Sequence, residues 1–211
     1  MKPTVTGIRT VSRAAGTALI RCLLLPVAIA ALHGCASPPS TVEAFQQKLV
    51  RQLTNAKLAY NNLDVRERTG KTDTDESQDK FWVALDMSGN KNLYSISGLK
   101  GMPINVCRLS NTPLSDISPL AGMPLSILAI DGTKVVNLAP LSGMPLKTLF
   151  INNSTITDLS ALEGLQLEHI RFSPEHISTG IEVLQNMASL KQINRMSVRE
   201  FWDKHKAGLF R

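Results

Sequence analysis

The side chains of this chain that are able to do chemistry are few, and their spacing does not bring them together. His169 and His176 are the nearest pair of imidazoles, yet neither has a cysteine or a third histidine close by, whereas a metal site needs three or four converging ligands. Gly70-Lys71-Thr72 matches the end of a phosphate-binding loop, but Val65 stands where that loop needs its first glycine, and no strand leads into it. Asp73 and Asp75 have the opening spacing of a calcium loop, while Gln78 replaces the turn glycine and Ala84 the closing glutamate. Cys107 occupies a position otherwise taken by Leu and Ile and reads as a small core residue, not a nucleophile. No Gly-x-Ser-x-Gly elbow is present. The expectation is a non-enzymatic protein with no cofactor and no metal; a hydrolase using His169 or His176 is the weakest alternative.

The elements that would position any functional residue are set by an internal repeat. Gly101-Met102-Pro103, Gly122-Met123-Pro124 and Gly143-Met144-Pro145 recur every 21 residues, and Gly164-Leu165 continues the step. Aligned on these glycines, three early columns are apolar: Ile104, Leu125, Leu146, Leu167; Cys107, Leu128, Leu149, Ile170; and Leu109, Ile130, Ile151, Phe172. Three later ones follow: Leu114, Val135, Ile156, Ile177; Ile117, Leu138, Leu159; and Leu120, Leu141, Leu162, Val183. An earlier unit fits with one inserted residue through Trp82, Leu85, Met87, Leu93, Ile96 and Leu99, and Leu190 and Ile193 belong to a later fragment. Alternation across Leu128, Ala129 and Ile130 predicts a short strand with one buried face, and stacking such strands makes a parallel sheet.

The segment from Leu125 through Leu128 and Ile130 to Thr133 and Val135 resembles the common segment of leucine-rich repeats, and the likeness extends over about residues 81–193. The family's Asn column reads here Asn90, Thr112, Thr133, Ser154 and Glu175, where a small polar side chain bonds otherwise unpaired backbone of the turn. Polar residues ahead of Pro119 and Pro140 predict one short helical or 3₁₀ turn on the outer face. A repeat this short places the chain nearer the internalin-like class than the long-helix class. The resemblance thus implies an α/β repeat fold: a short leucine-rich-repeat solenoid with a parallel β-sheet on the concave face and 3₁₀ or short helical turns on the convex face.

Because each unit hides its apolar columns only against its neighbours, both ends need covers. Val42, Phe45, Leu49, Leu53, Ala56, Tyr60 and Leu63 recur at three-to-four-residue intervals and predict an amphipathic helix over residues 41–63. Residues 64–80 read as a polar surface loop. Ser197 and Glu200 have capping-box spacing ahead of Phe201 and Trp202 and predict a closing helix. The string from Phe201 to Gly208 resembles a closing segment of leucine-rich-repeat proteins of some environmental bacteria. The division expected is a leader at 1–34, a tether at 35–40, a cap helix and loop at 41–80, repeats at 81–195 and a helical cap at 196–211. The alternative for either helix is a docking element for a partner.

Residues 1–34 hold four of the 23 basic residues, Lys2, Arg9, Arg13 and Arg21, and none of the 17 acidic ones, so the net charge of +6 shrinks to near neutrality without them. No polybasic face is left, and no nucleic-acid partner is expected. The apolar run Cys22 to Leu32 would span about 16 Å as a helix against roughly 30 Å of bilayer hydrocarbon, which fits an export signal and not a permanent span. Leu32-His33-Gly34-Cys35 resembles the lipobox of bacterial lipoproteins, in which the Cys thiol is acylated and becomes the new N-terminus. The likeness implies lipidation at Cys35 and a membrane-anchored protein of the cell envelope; Ala36 after the Cys implies outer-membrane sorting if the host is Gram-negative. An ordinary secreted protein cut near Gly34 or Ala36 is the alternative. With Cys22 removed and Cys35 lipidated, Cys107 has no disulfide partner.

The remaining candidates lie on the exposed face of the strands: Val106 and Arg108, Ile127 and Asp131, Phe150 and Asn152, His169 and Arg171. Ile127 and Phe150 lie in adjacent strands flanked by Arg108 and Arg171, an apolar patch with a cationic rim of a kind that anchors a partner. Five strands about 4.8 Å apart and roughly 15 Å long offer only about 300 Å². Stable interfaces cover about 800 Å² on each side, so a peptide or a transient protein partner is the better fit. The functional expectation is a binding module for a protein or peptide on this face. A structural or assembly component of the envelope, using the caps or the convex side, is the second reading.

Overall fold

The computed structural model describes residues 11–12, 41–67 and 81–210. The rest of the expected leader around residues 11–12, Cys35, the tether and the sequence from Gly70 to Asp75 lie outside them. Among the described residues, nine strands form one sheet in chain order. They are β1 (Val11–Ser12), β2 (Asn62–Glu67), β3 (Phe81–Asp86), β4 (Val106–Arg108), β5 (Ile127–Ala129), β6 (Thr148–Ile151), β7 (His169–Phe172), β8 (Gln192–Ile193) and β9 (Met196–Ser197). The strands from β3 to β8 are parallel, and antiparallel strands flank them at each end, β2 beside β3 with β1 outside it, and β9 beside β8. The molecule is a short solenoid with a parallel sheet on one face and 3₁₀ turns on the other, the architecture that the resemblance implies.

The repeat register is the register of the sheet. Cys107 pairs with Leu128, Leu128 with Leu149 and Leu149 with Ile170, so each 21-residue step places like beside like. All four side chains are buried, as are those of the columns headed by Ile104, Leu109, Ile117 and Leu120 through their Leu, Ile and Phe members. Removing so many aliphatic side chains from water, at about 25 cal/mol per Å², is what makes stacking favourable. Thr112, Thr133 and Ser154 are buried, and each donates its hydroxyl at 2.7 Å to the carbonyl three residues earlier, Leu109, Ile130 and Ile151. The bond therefore closes the turn within its own repeat.

On the convex side, single 3₁₀ turns occupy Ser97–Leu99, Ser118–Leu120, Ala139–Leu141 and Ser160–Leu162. Asp116, Asn137 and Asp158 each accept a hydrogen bond from the backbone N–H two residues on, at 2.8 to 2.9 Å, which fixes the entry to the turn. The exit needs a left-handed residue: Gly122 has φ 71° and Gly143 φ 70°, which explains why glycine recurs there. The following Met102, Met123 and Met144, with Leu165, are buried and form a further core column that the glycine alignment did not assign to the interior.

Four differences from the sequence reading have simple physical causes. The first cap helix, α1 (Thr41–Asn55), stops eight residues early, with Lys57 at φ 55°, and Leu63 is instead buried from strand β2. The polar stretch expected from Asp64 therefore begins as sheet, where Leu63 and Val65 alternate inward. In β3 the buried residues are Val83 and Leu85, with Met87 buried just after the strand, so Trp82 points to the other side of the sheet and Val83 takes its place in the core. At the far end the helix α2 (Ile181–Gln185) buries Leu184 while Val183 is only half-buried, and Glu175 and Ile177 leave the pattern around the turn Pro174–His176. Gly180, which opens α2, lies so close to Ser160 that a Cβ there would meet the Ser160 N at 2.3 Å.

Both ends are covered. From α1, Leu49 and Leu53 are buried and Phe45 stacks on Phe81 with ring centroids 4.4 Å apart. The closing helix, α3 (Val198–Lys206), starts at Ser197, whose hydroxyl accepts from the Glu200 N–H at 3.2 Å. The reciprocal half of the capping box is not made, because the Glu200 carboxylate takes the Lys204 ammonium at 2.9 Å. Phe201 is buried from α3 between Phe172 and Phe210, with centroids 5.7 and 5.0 Å away.

Candidate functional site

Opposite the core, side chains of the strands form two rows across the sheet. One runs Asp64, Ala84, Val106, Ile127, Thr148, His169, Gln192; the other runs Asn62, Asp86, Arg108, Ala129, Phe150, Arg171. β2 extends the face beyond the repeats, with Asn62, Asp64 and Arg66 beside Asp86, Ala84 and Trp82 of β3. The alternation of Phe81 to Asp86 carries that signal in the sequence, but the apolar column assignment had claimed Trp82 for the interior.

The two rows differ in what they expose. Val106 faces this side but is only 3% exposed, and Ala129 only 5%, so neither offers contact surface; for Val106 this corrects the expectation from alternation alone. Ala129 is a short side chain between the longer Arg108 and Phe150, which cover it. Ile127, Thr148, Phe150, His169 and Arg171 are half-buried, and Arg108 is exposed. Ile127 pairs directly with Thr148, which leaves Ile127 and Phe150 as diagonal neighbours with Ala129 beside Phe150.

The Arg171 Cζ lies 4.1 Å from the centroid of the Phe150 ring. The guanidinium stacks on the negative face of the ring, an arrangement worth about 0.5 to 1 kcal/mol when exposed, and it holds both side chains in one orientation. Arg108 stands on the far side of Ala129 in the same row. Ile127 and Phe150 are thus neighbours on the face, with Arg108 at one side and Arg171 lying on the ring instead of beside it.

Asp131 and Asn152, just beyond the strands, are tied to each other. The Asp131 Oδ1 accepts from the Asn152 N–H at 2.9 Å and its Nδ2 at 2.8 Å, and Oδ2 accepts from the Ser110 hydroxyl at 3.2 Å. These two candidates therefore act first as a brace across three repeats. Along the opposite edge, Glu168 sits between Lys191 at 2.5 Å and Lys147 at 3.8 Å. The Lys191 hydrogen bond, then its charge, holds the Glu168 carboxyl below the usual carboxylate range.

The other candidates do not converge. His169 is in β7, whereas His176 is exposed on the turn Pro174–His176, and among the described residues no three His, Cys, Asp or Glu side chains are placed to hold a metal ion. Cys107 is fully buried in the core, where loss of solvation pushes its thiol up to about 12.

One functional element of the scaffold escaped the sequence reading. Asn105 is buried, its N–H donates to the Val83 carbonyl at 2.9 Å, its Oδ1 accepts from the Val83 N–H at 2.9 Å, and its Nδ2 donates to the Pro124 carbonyl at 3.2 Å. It bridges the unit before and the unit after. The only hint in the sequence is that Asn105 shares its column with the unlike residues Ser126, Lys147 and Glu168.

No family model matches the chain, and no curated protein matches it. Among solved structures, internalin C2 of Listeria monocytogenes strain 4b F2365 is similar over 47% of this chain and 45% of that one, with 29% identity and a TM-score of 0.41. Internalin F of the same strain is similar over 47% of this chain and 30% of that one, with 26% identity and a TM-score of 0.41. The matched region spans less than half the length of either internalin.

Proposed function

We propose that this protein is a non-enzymatic binding module of the cell envelope, anchored through lipid on Cys35, whose strand face receives a protein or peptide. The observation that carries the binding reading is the Arg171–Phe150 stack beside Ile127 on a sheet face whose hydrogen bonds are already satisfied along the ladder. A rigid sheet that presents an ordered aromatic and a guanidinium costs little to organise when a partner arrives. The anchoring reading rests on the order of charged, apolar and Cys35-containing segments in the sequence.

Crosslinking in the native envelope, followed by identification of what is captured, tests both parts. The Phe150→Ser, Arg171→Ala double variant is expected to keep its fold and lose the captured partner. Undiminished capture by the folded variant would count against the strand face and favour the caps or convex side. Loss of lipid labelling in Cys35→Ser tests the anchor separately.

A further inference from the structure

The two arginines of the face narrow the class of partner, an inference that rests on the strand-face reading just given. Arg108 in β4 and Arg171 in β7 belong to one row and stand three strand spacings apart. At about 4.8 Å per strand their backbones are about 14 Å apart, and Arg171 lies over Phe150, in the strand next to its own on the Arg108 side. Between them the row holds only Ala129 and Phe150, with Ile127 diagonal to the ring. Among the described residues neither guanidinium has a carboxylate ion-pair partner, and because Arg171 meets the ring with its flat face, its N–H fork is left for a ligand.

We propose that the face binds an extended, acidic peptide segment of a protein partner, lying across the strands, with two carboxylates four residues apart and an apolar residue midway. An extended chain advances about 3.4 Å per residue and turns alternate side chains to the same side. Residues i and i+4 then point together at a separation of about 13.5 Å, whereas i and i+2 reach only about 7 Å and i+3 points away. The residue at i+2 falls over Ala129 and against Phe150 and Ile127. The acids near this placement are already engaged: Asp131, one row further along the coil between the two arginines, is held by Ser110 and Asn152, and Asp86, which accepts from the Ser88 N–H at 2.9 Å, lies outside the span between them.

The test is fluorescence anisotropy with the purified full chain and a labelled heptapeptide carrying glutamate at its second and sixth positions around a central leucine. The acidic peptide is expected to bind about tenfold tighter than the same peptide with both glutamates replaced by glutamine, and Arg108→Gln or Arg171→Gln should each remove about fivefold. Thermal unfolding checks that the variants are folded. Equal binding of the glutamine peptide, binding unaffected in both variants, no binding of any peptide, or equal displacement by dextran sulfate and by a peptide with glutamates two apart would each overturn the proposal. Envelope crosslinking that still depends on Phe150 while acid preference is absent would overturn this inference alone and leave the strand-face reading standing.

Discussion

Asn105 grips Val83 twice, giving its own backbone N–H to the Val83 carbonyl and taking the Val83 N–H on its side-chain oxygen, each at 2.9 Å. The side chain thereby supplies the hydrogen bond that a longer β4 strand would have given. Asn105→Ala leaves the Val83 N–H and the Pro124 carbonyl without these partners in a buried place. It should lower stability by about 1 to 3 kcal/mol, measured as a shift of the urea midpoint at constant slope.

The ladder itself makes a contrast. Leu128 is fully buried in mid-array, and Leu128→Ala should cost about 2 to 5 kcal/mol by leaving a cavity. Lys134, exposed on a turn, should tolerate Ala within about 0.5 kcal/mol. Equal effects in chemical denaturation would contradict the stacking.

Asp116 and Asp158 give the fold an acid-sensitive contribution. The Ser118 N–H and then its hydroxyl hold the Asp116 carboxyl below its ordinary value, and the Ser160 hydroxyl and then its N–H do the same for Asp158. A carboxylate depressed in the folded state stabilises it above the unfolded value, near 3.8, and loses that contribution as pH falls through the folded value. The double variant Asp116→Ala, Asp158→Ala should therefore be less stable than the parent at about pH 7, and the difference should close below about pH 4. Denaturant midpoints taken across that range check it; a gap that widens on acidification would contradict the assignment.

Cys107, with its thiol pushed up to about 12, should resist alkylation in the native state at mildly alkaline pH. Peptide mapping after iodoacetamide treatment should find Cys107 labelled at the rate of global unfolding. Fast labelling without unfolding would mean that its neighbours in the column do not close over it.

The sequence made the ladder legible because four units in one spacing leave little freedom: once Leu128 is inward, Leu149 and Ile170 must be. What it hid lies where repetition stops or where one residue serves two units. Trp82 was placed inward by a gap-adjusted alignment, but the antiparallel partner β2 extends β3 and shifts which residues alternate into the core. Helical periodicity continued past Asn55 to Leu63, and nothing in spacing distinguishes a buried leucine on a helix from one on a strand. On the strand face, side-chain direction was readable for all the candidates, whereas cover was not: Val106 points outward and is still hidden. The link between Asp131 and Asn152 joins adjacent repeats within one column and becomes visible only when neighbouring units are in place.

Each interior coil meets only the coil on either side of it, and antiparallel strands flank the parallel array, β2 with β1 outside it at one end and β9 at the other. Growth of the rod is thereby separated from its termination. An in-frame duplication of residues 122–142 would insert one further rung and lengthen the array by about 4.8 Å, leaving both terminal lids untouched. The gene can thus change the reach of the molecule without redesigning its ends.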